Sequence, residues 1–113
     1  MKNSSRPKAQ IYALFVERLR GIEKHQKVLF VGYSQTDLVK TRSSMLSSLK
    51  NKTDNISKKF QASNIKPADI KIARLEFCFL TDANERVNHY IKKFDTIKNG
   101  LNSEIRHERK FSL

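Results

Sequence analysis

Apolar positions along this chain fall into short runs whose periods differ, and the period of each run predicts the element it forms. Residues 10–16, QIYALFV, are apolar and few, which predicts a strand followed by a turn in the polar ERLRGIEKHQ. A helix from about Ala9 to Lys24 competes, because Leu14, Arg18 and Leu19 also fit helical spacing. Residues 27–32, KVLFVG, are a continuous apolar run closed by glycine, the pattern of a buried strand. Thr36 or Asp37 can cap a helix carrying Leu38, Met45, Leu46, Leu49, Ile56 and Phe60 on one side, with a break near residues 51–55 and an end at Pro67.

Residues 70–80, IKIARLEFCFL, alternate as a strand does, which predicts Ala73, Leu75, Phe77 and Phe79 on one side and Arg74, Glu76 and Cys78 on the other. A final helix follows. Asp82 with Glu85 three residues on is the pattern of a capping box, and Ala83, Val87, Tyr90, Ile91, Phe94 and Ile97 repeat at three and four toward a core. Gly100 is placed as the left-handed residue that ends this helix, with Leu101 folding back onto it. Few strands interleaved with helices predict an α/β fold, a small mixed sheet of about three strands packed with helices.

The chain has 113 residues, enough for one domain that buries roughly 65% of its unfolded surface. Residues 1–9 read as a basic tail broken by Pro7, residues 10–102 as the domain, and residues 103–113 as a charged C-terminal tail. No apolar stretch approaches the roughly 20 residues of a membrane span, and the polar start MKNSSRPK predicts no secretory signal. Cys78 is the only cysteine, so no internal disulfide forms, which suits a reducing, cytoplasmic compartment.

Charge changes the picture most. Twenty-three Lys and Arg against eleven Asp and Glu leave a net charge of +12 and a pI near 10.1, which points to a polyanionic partner. Acids fail to balance bases in two stretches. Residues 1–27 carry Lys2, Arg6, Lys8, Arg18, Arg20, Lys24 and Lys27 against Glu17 and Glu23, and residues 40–59 carry Lys40, Arg42, Lys50, Lys52, Lys58 and Lys59 against Asp54. Phosphate attraction by counterion release is the expected consequence, with the second set as the nucleic-acid-binding surface. An acidic protein is the rival partner; a membrane is not expected, since no segment joins a basic face to exposed apolar anchors.

Several motifs then fall in a telling order. KVLFVGYSQTDLVKTR, DNISKKF, LEFCFL and HYIKKFDTIKNGLN resemble, in sequence and approximate spacing, the landmarks of GIY-YIG nuclease domains. Phe30-Val31-Gly32 stands at the second motif, Asp37-Leu38 and Arg42 at the helix start, Asn55 at the mid-chain asparagine, and Gly100-Leu101-Asn102 at the end of the last helix. Ile11-Tyr12 supplies the first motif, with Gln10 in place of its glycine. The resemblance implies hydrolysis of a DNA strand through a divalent metal such as magnesium, and by position it makes Tyr12, Arg42 and Asn102 the catalytic candidates.

Two positions depart from that pattern. Phe30 replaces the second tyrosine and has no hydroxyl to act as acid or base, and Val87 occupies the place of the metal-binding glutamate. A hard cation requires oxygen ligands, so the expectation is no metal, no resident cofactor, and a nucleic-acid binder, with DNA the first candidate, that retains little or no nuclease activity. An active endonuclease, with Glu76 supplying the missing carboxylate, is the alternative within the family. His25, His89 and His107 share no ligand spacing, Ser34, Ser43 and Ser44 lack a His and acid in order, and GYSQT lacks the second glycine of a nucleophile elbow.

Overall fold

The computed structural model describes residues 7–20, 23–52 and 55–102, without the side chains of residues 18–20, 23–25, 55 and 99. Three strands form one antiparallel sheet in the order β2, β1, β3: β1 is Lys8–Arg20, β2 is Glu23–Ser34 and β3 is Lys71–Phe79. Between β2 and β3 run two helices, α1 (Leu38–Asn51) and α2 (Asn55–Ala62), and after β3 come α3 (Ala83–Phe94) and the short α4 (Thr96–Asn99). The fold is α/β, with a small sheet flanked by helices, as the interleaved pattern implies.

The central strand explains why residues 10–16 carry no polar alternation. β1 is covered on both faces, so consecutive side chains all meet apolar neighbours. Tyr12, Leu14 and Val16 pack with Leu49 and Phe60, and with Leu38, Met45, Leu46 and Ile56 of α1 and α2. Ala9 and Ile11 face the other way and pack with Val31 and with Ala83, Val87 and Ile91 of α3. Two cores therefore lie on opposite faces of one sheet. Competition between strand and helix over Ala9 to Lys24 is decided in favour of the strand, which runs longer than the apolar run because β2 pairs with it as far as Arg20 opposite Glu23.

Asp37 caps α1 through its carboxylate, which accepts from the amides of Val39 at 2.7 Å and Lys40 at 3.4 Å. The expected break between α1 and α2 is present. Helix α2 ends at Ala62, earlier than Pro67, because Asn64 adopts a left-handed conformation (φ 60°) and Pro67 opens a 3-10 turn over Pro67–Asp69.

Three expectations near the C-terminal half are corrected. The chain enters α3 through a 3-10 turn, Leu80–Asp82, so Asp82 is already helical (φ −98°, ψ −3°) and its side chain makes no cap bond; the capping box does not form. The last helix also stops at Phe94, where left-handed Asp95 (φ 52°) closes it by donating to the Ile91 and Lys92 carbonyls. Gly100 consequently has an extended φ of −141°, and its small size serves a close approach: a Cβ there would collide with the Leu29 and Thr96 carbonyl oxygens.

The third correction concerns β3. Ile11 pairs with Glu76 but Tyr12 pairs with Arg74, so Leu75 is an extra residue, a β-bulge. One inserted residue reverses the facing of everything beyond it. Leu75 and Cys78 join the core beneath α3, whereas Phe77 is 59% and Phe79 38% exposed.

Candidate nucleic-acid interface

Tyr12 sits opposite Gly32 in the β1–β2 ladder and is 3% exposed. Its hydroxyl lies over Gly32, where a Cβ would come within 2.8 Å of it, and its ring packs 6.2 Å from that of Phe30, itself 3% exposed. Both aromatics at the motif positions are thus core residues on the α1–α2 face. Arg42 projects from α1 toward the segment before β3. Its Nε donates to the Ile70 carbonyl at 2.8 Å and an Nη to the Pro67 carbonyl at 3.2 Å, which fastens the 3-10 turn to the helix.

Asn102 lies outside β2 and imitates a fourth strand. Its Oδ1 accepts from Val31 N–H at 2.9 Å and its Nδ2 donates to the Val31 carbonyl at 3.1 Å, while Leu101 N–H donates to the Leu29 carbonyl. This outer edge of β2 is thereby closed at Leu29 and Val31. Tyr12, Arg42 and Asn102 each serve a separate internal contact. Asn55 belongs to α2, and its side chain lies outside the described residues, as do His107 and the side chain of His25.

Glu76 stands on the face opposite Tyr12, since its cross-strand neighbour is Ile11. Arg86 of α3 holds it through Nε at 3.0 Å from each carboxylate oxygen and an Nη at 2.6 Å, and Tyr90 donates its hydroxyl at 2.8 Å. The Arg86 bond holds the Glu76 carboxyl below its ordinary range, and the same carboxylate pushes the Tyr90 phenol up. Val87 is fully buried on this same side. Among the described residues no three His, Cys, Asp or Glu side chains gather in a way that could hold a metal ion.

The expected basic surface separates into two kinds of residue. Lys40, Lys50, Lys52 and Lys58 are exposed and have no carboxylate partner among the described residues. Lys59 is exposed too, but its ammonium bridges to the Ile97 carbonyl at 3.4 Å and the Asn102 carbonyl at 3.1 Å, and so ties α2 to the closing segment. Residues 38–66, which hold α1 and α2, contain seven Lys and Arg with Asp54 as the one acid, whereas residues 80–102 contain Arg86, Lys92, Lys93 and Lys98 against Asp82, Glu85 and Asp95. The two helical layers therefore differ sharply in charge.

A second group lies on the α1–α2 face, past the edge of those helices, and alternation along β3 concealed it. Arg74 stacks 4.3 Å from the centroid of Phe77 and donates to Gln10 Oε1 at 3.4 Å, and Gln10 in turn donates to the Thr36 carbonyl at 2.9 Å. Phe79 pairs with Lys8 across the ladder. Two aromatics at i and i+2 beside a guanidinium were the available signal, masked because their facing depends on the Leu75 bulge. Cys78 is half-buried, and desolvation pushes its thiol up.

Comparison with protein-family models, with curated proteins and with solved structures finds no match to this chain. No helix among the described residues is long and apolar enough to cross a membrane.

Proposed function

We propose that this protein binds nucleic acid through the layer formed by α1 and α2, on a GIY-YIG-like scaffold that grips the strand without cutting it. The observation that carries the reading is the segregation of charge between the two helical layers, one almost free of acids and the other nearly balanced. Cations unbalanced by acids on one side of a sheet meet a polyanion together, and each phosphate contact releases condensed counterions. Four of them, Lys40, Lys50, Lys52 and Lys58, are exposed and spend no charge on a carboxylate among the described residues. Absence of cleavage is supported by Phe30 and Val87 at the positions where the resembled family uses a hydroxyl and a carboxylate, and by the engagement of Glu76 with Arg86 on the opposite face.

A binding titration against salt tests this. Contact with about six phosphates of a duplex gives a log–log slope near −5. Changing Lys40, Lys50, Lys52 or Lys58 singly to Gln is expected to reduce the slope by about 0.9 each, and changing Lys92, on α3, to leave it nearly unaltered. A slope indifferent to salt, or equal losses from both layers, overturns the proposal. Plasmid incubated with protein and magnesium or manganese is expected to stay uncut.

A further inference from the structure

We infer that Phe77 and Phe79 form a stacking platform for the unpaired bases of a single-stranded nucleic acid. This deepens the proposed binding role and rests on it, naming the form of the substrate and the place where bases dock. Large aromatics on a sheet normally bury their faces, and in this small protein the rest of β1, β2 and the helices succeed in doing so; Phe77 at 59% and Phe79 at 38% exposure are departures. Their exposure follows from the architecture. The Leu75 bulge turns both rings to the α1–α2 face, and α1 reaches β3 at the other end, where Arg42 meets Ile70.

Residues two apart on a strand project to the same side roughly 6.7 Å from each other, so each ring can receive its own base, as aromatics on sheet surfaces do in single-strand binders. A duplex offers no such faces, because its bases already stack on their neighbours. Cations flank the rings on the proper side: Arg74 lies against Phe77, and Lys8 stands opposite Phe79. A cleft of about 510 Å³ is lined by Lys8, the two rings, Glu76, Cys78 and Arg86, and also by Asp82 and Glu85. Those two acids repel phosphate. The backbone of the strand is therefore held on the side of Lys8 and Arg74, while the neutral bases lie across the rings toward the cleft.

Fluorescence anisotropy with labelled strands of about twelve nucleotides decides the matter, using oligothymidylate, oligouridylate, an abasic strand with the same number of phosphates, and a duplex. Expected is tighter binding of a base-bearing strand than of the abasic one. Phe77→Ala and Phe79→Ala, at exposed positions that spare the core, are each expected to weaken base-bearing strands about fivefold or more, to leave abasic binding and the salt slope unchanged, and to be rescued by Phe77→Tyr or Phe79→Tyr. Equal affinity for the abasic strand or the duplex, or no loss in the alanine variants, refutes the platform while salt-dependent binding through α1 and α2 stands. If the unaltered protein binds none of the four probes, the nucleic-acid reading itself fails and the platform with it.

Discussion

Replacing Asn102 with Ala removes the two hydrogen bonds that close the edge of β2 at Val31. Val31 is fully buried, so its amide and carbonyl lose their partners without gaining water. Each buried backbone group left unpaired costs about 1–3 kcal/mol, and partial relaxation of residues 101–102 places the sum near 3 kcal/mol. A domain of this size has a total stability of about 5–15 kcal/mol, and such a loss corresponds to a fall in Tm of about 10 °C or more. Urea titration of the two proteins side by side measures it.

Asn102→Asp sharpens the same experiment. The carboxylate keeps an acceptor for Val31 N–H but sets a second oxygen against the Val31 carbonyl where an amide donor stood. Burial raises the folded-state pKa of such an acid above its unfolded value, so protonation restores the donor and the variant recovers stability as pH falls, losing it as pH rises through the folded pKa. Because Asn102 is only 3% exposed, nucleic-acid affinity of the folded variants is expected to match that of the parent. A stability loss under about 0.5 kcal/mol, within the range of an ordinary surface change, refutes the edge-closing role. So does lost binding with stability intact, since that outcome makes Asn102 a contact residue.

Two further changes test the packing around the site. Glu76 has a folded pKa below its ordinary value because Arg86 holds the carboxylate, so the pair contributes above the ordinary glutamate range and its contribution fades as pH falls through the folded pKa; Glu76→Gln is expected to flatten the acid limb of a Tm-against-pH curve, and an unchanged limb contradicts the assignment. Gly100→Ala forces a Cβ into the Leu29 and Thr96 carbonyl oxygens and is expected to cost about 1–3 kcal/mol in urea unfolding, whereas a neutral effect means that residues 100–102 do not hug β2.

Core and architecture were legible in the sequence wherever one residue's surroundings depend on its own element. The apolar positions of α1 and α2, from Leu38 to Phe60, and those of α3 and α4, from Ala83 to Ile97, face the cores that their spacing implies. Asp37 was legible as a cap for the same local reason. What escaped was set by partners distant along the chain. Arg42 reads as a surface cation until Pro67 and Ile70 are brought beside it, and Asn102 reads as a catalytic candidate by resemblance alone until Val31 presents an amide and a carbonyl to it. Asp82 with Glu85 has the letters of a capping box, but the 3-10 turn that feeds α3 takes the geometry away.

β3 shows most plainly how such a failure becomes informative. Its sequence alternates without a flaw, and alternation alone would bury Phe77 and Phe79 with Leu75. A bulge carries no letter of its own: Leu75 is a residue well suited to an ordinary strand, and it is extra only because Tyr12 and Ile11 on β1 take Arg74 and Glu76 as neighbours. Leu75 stays in the core beneath α3, and the bulge turns Phe77 and Phe79 to the opposite face, where Phe77 lies against Arg74. Straightening the strand would return both rings to the face beneath α3, beside Leu75, so their exposure is sustained by this local irregularity. Local rules tend to break where a surface has work to do, and this break sets a pair of flat apolar rings beside Arg74 and Lys8 at the rim of the acid-poor layer, the arrangement on which the proposed docking of a polymer with a charged backbone and flat bases rests.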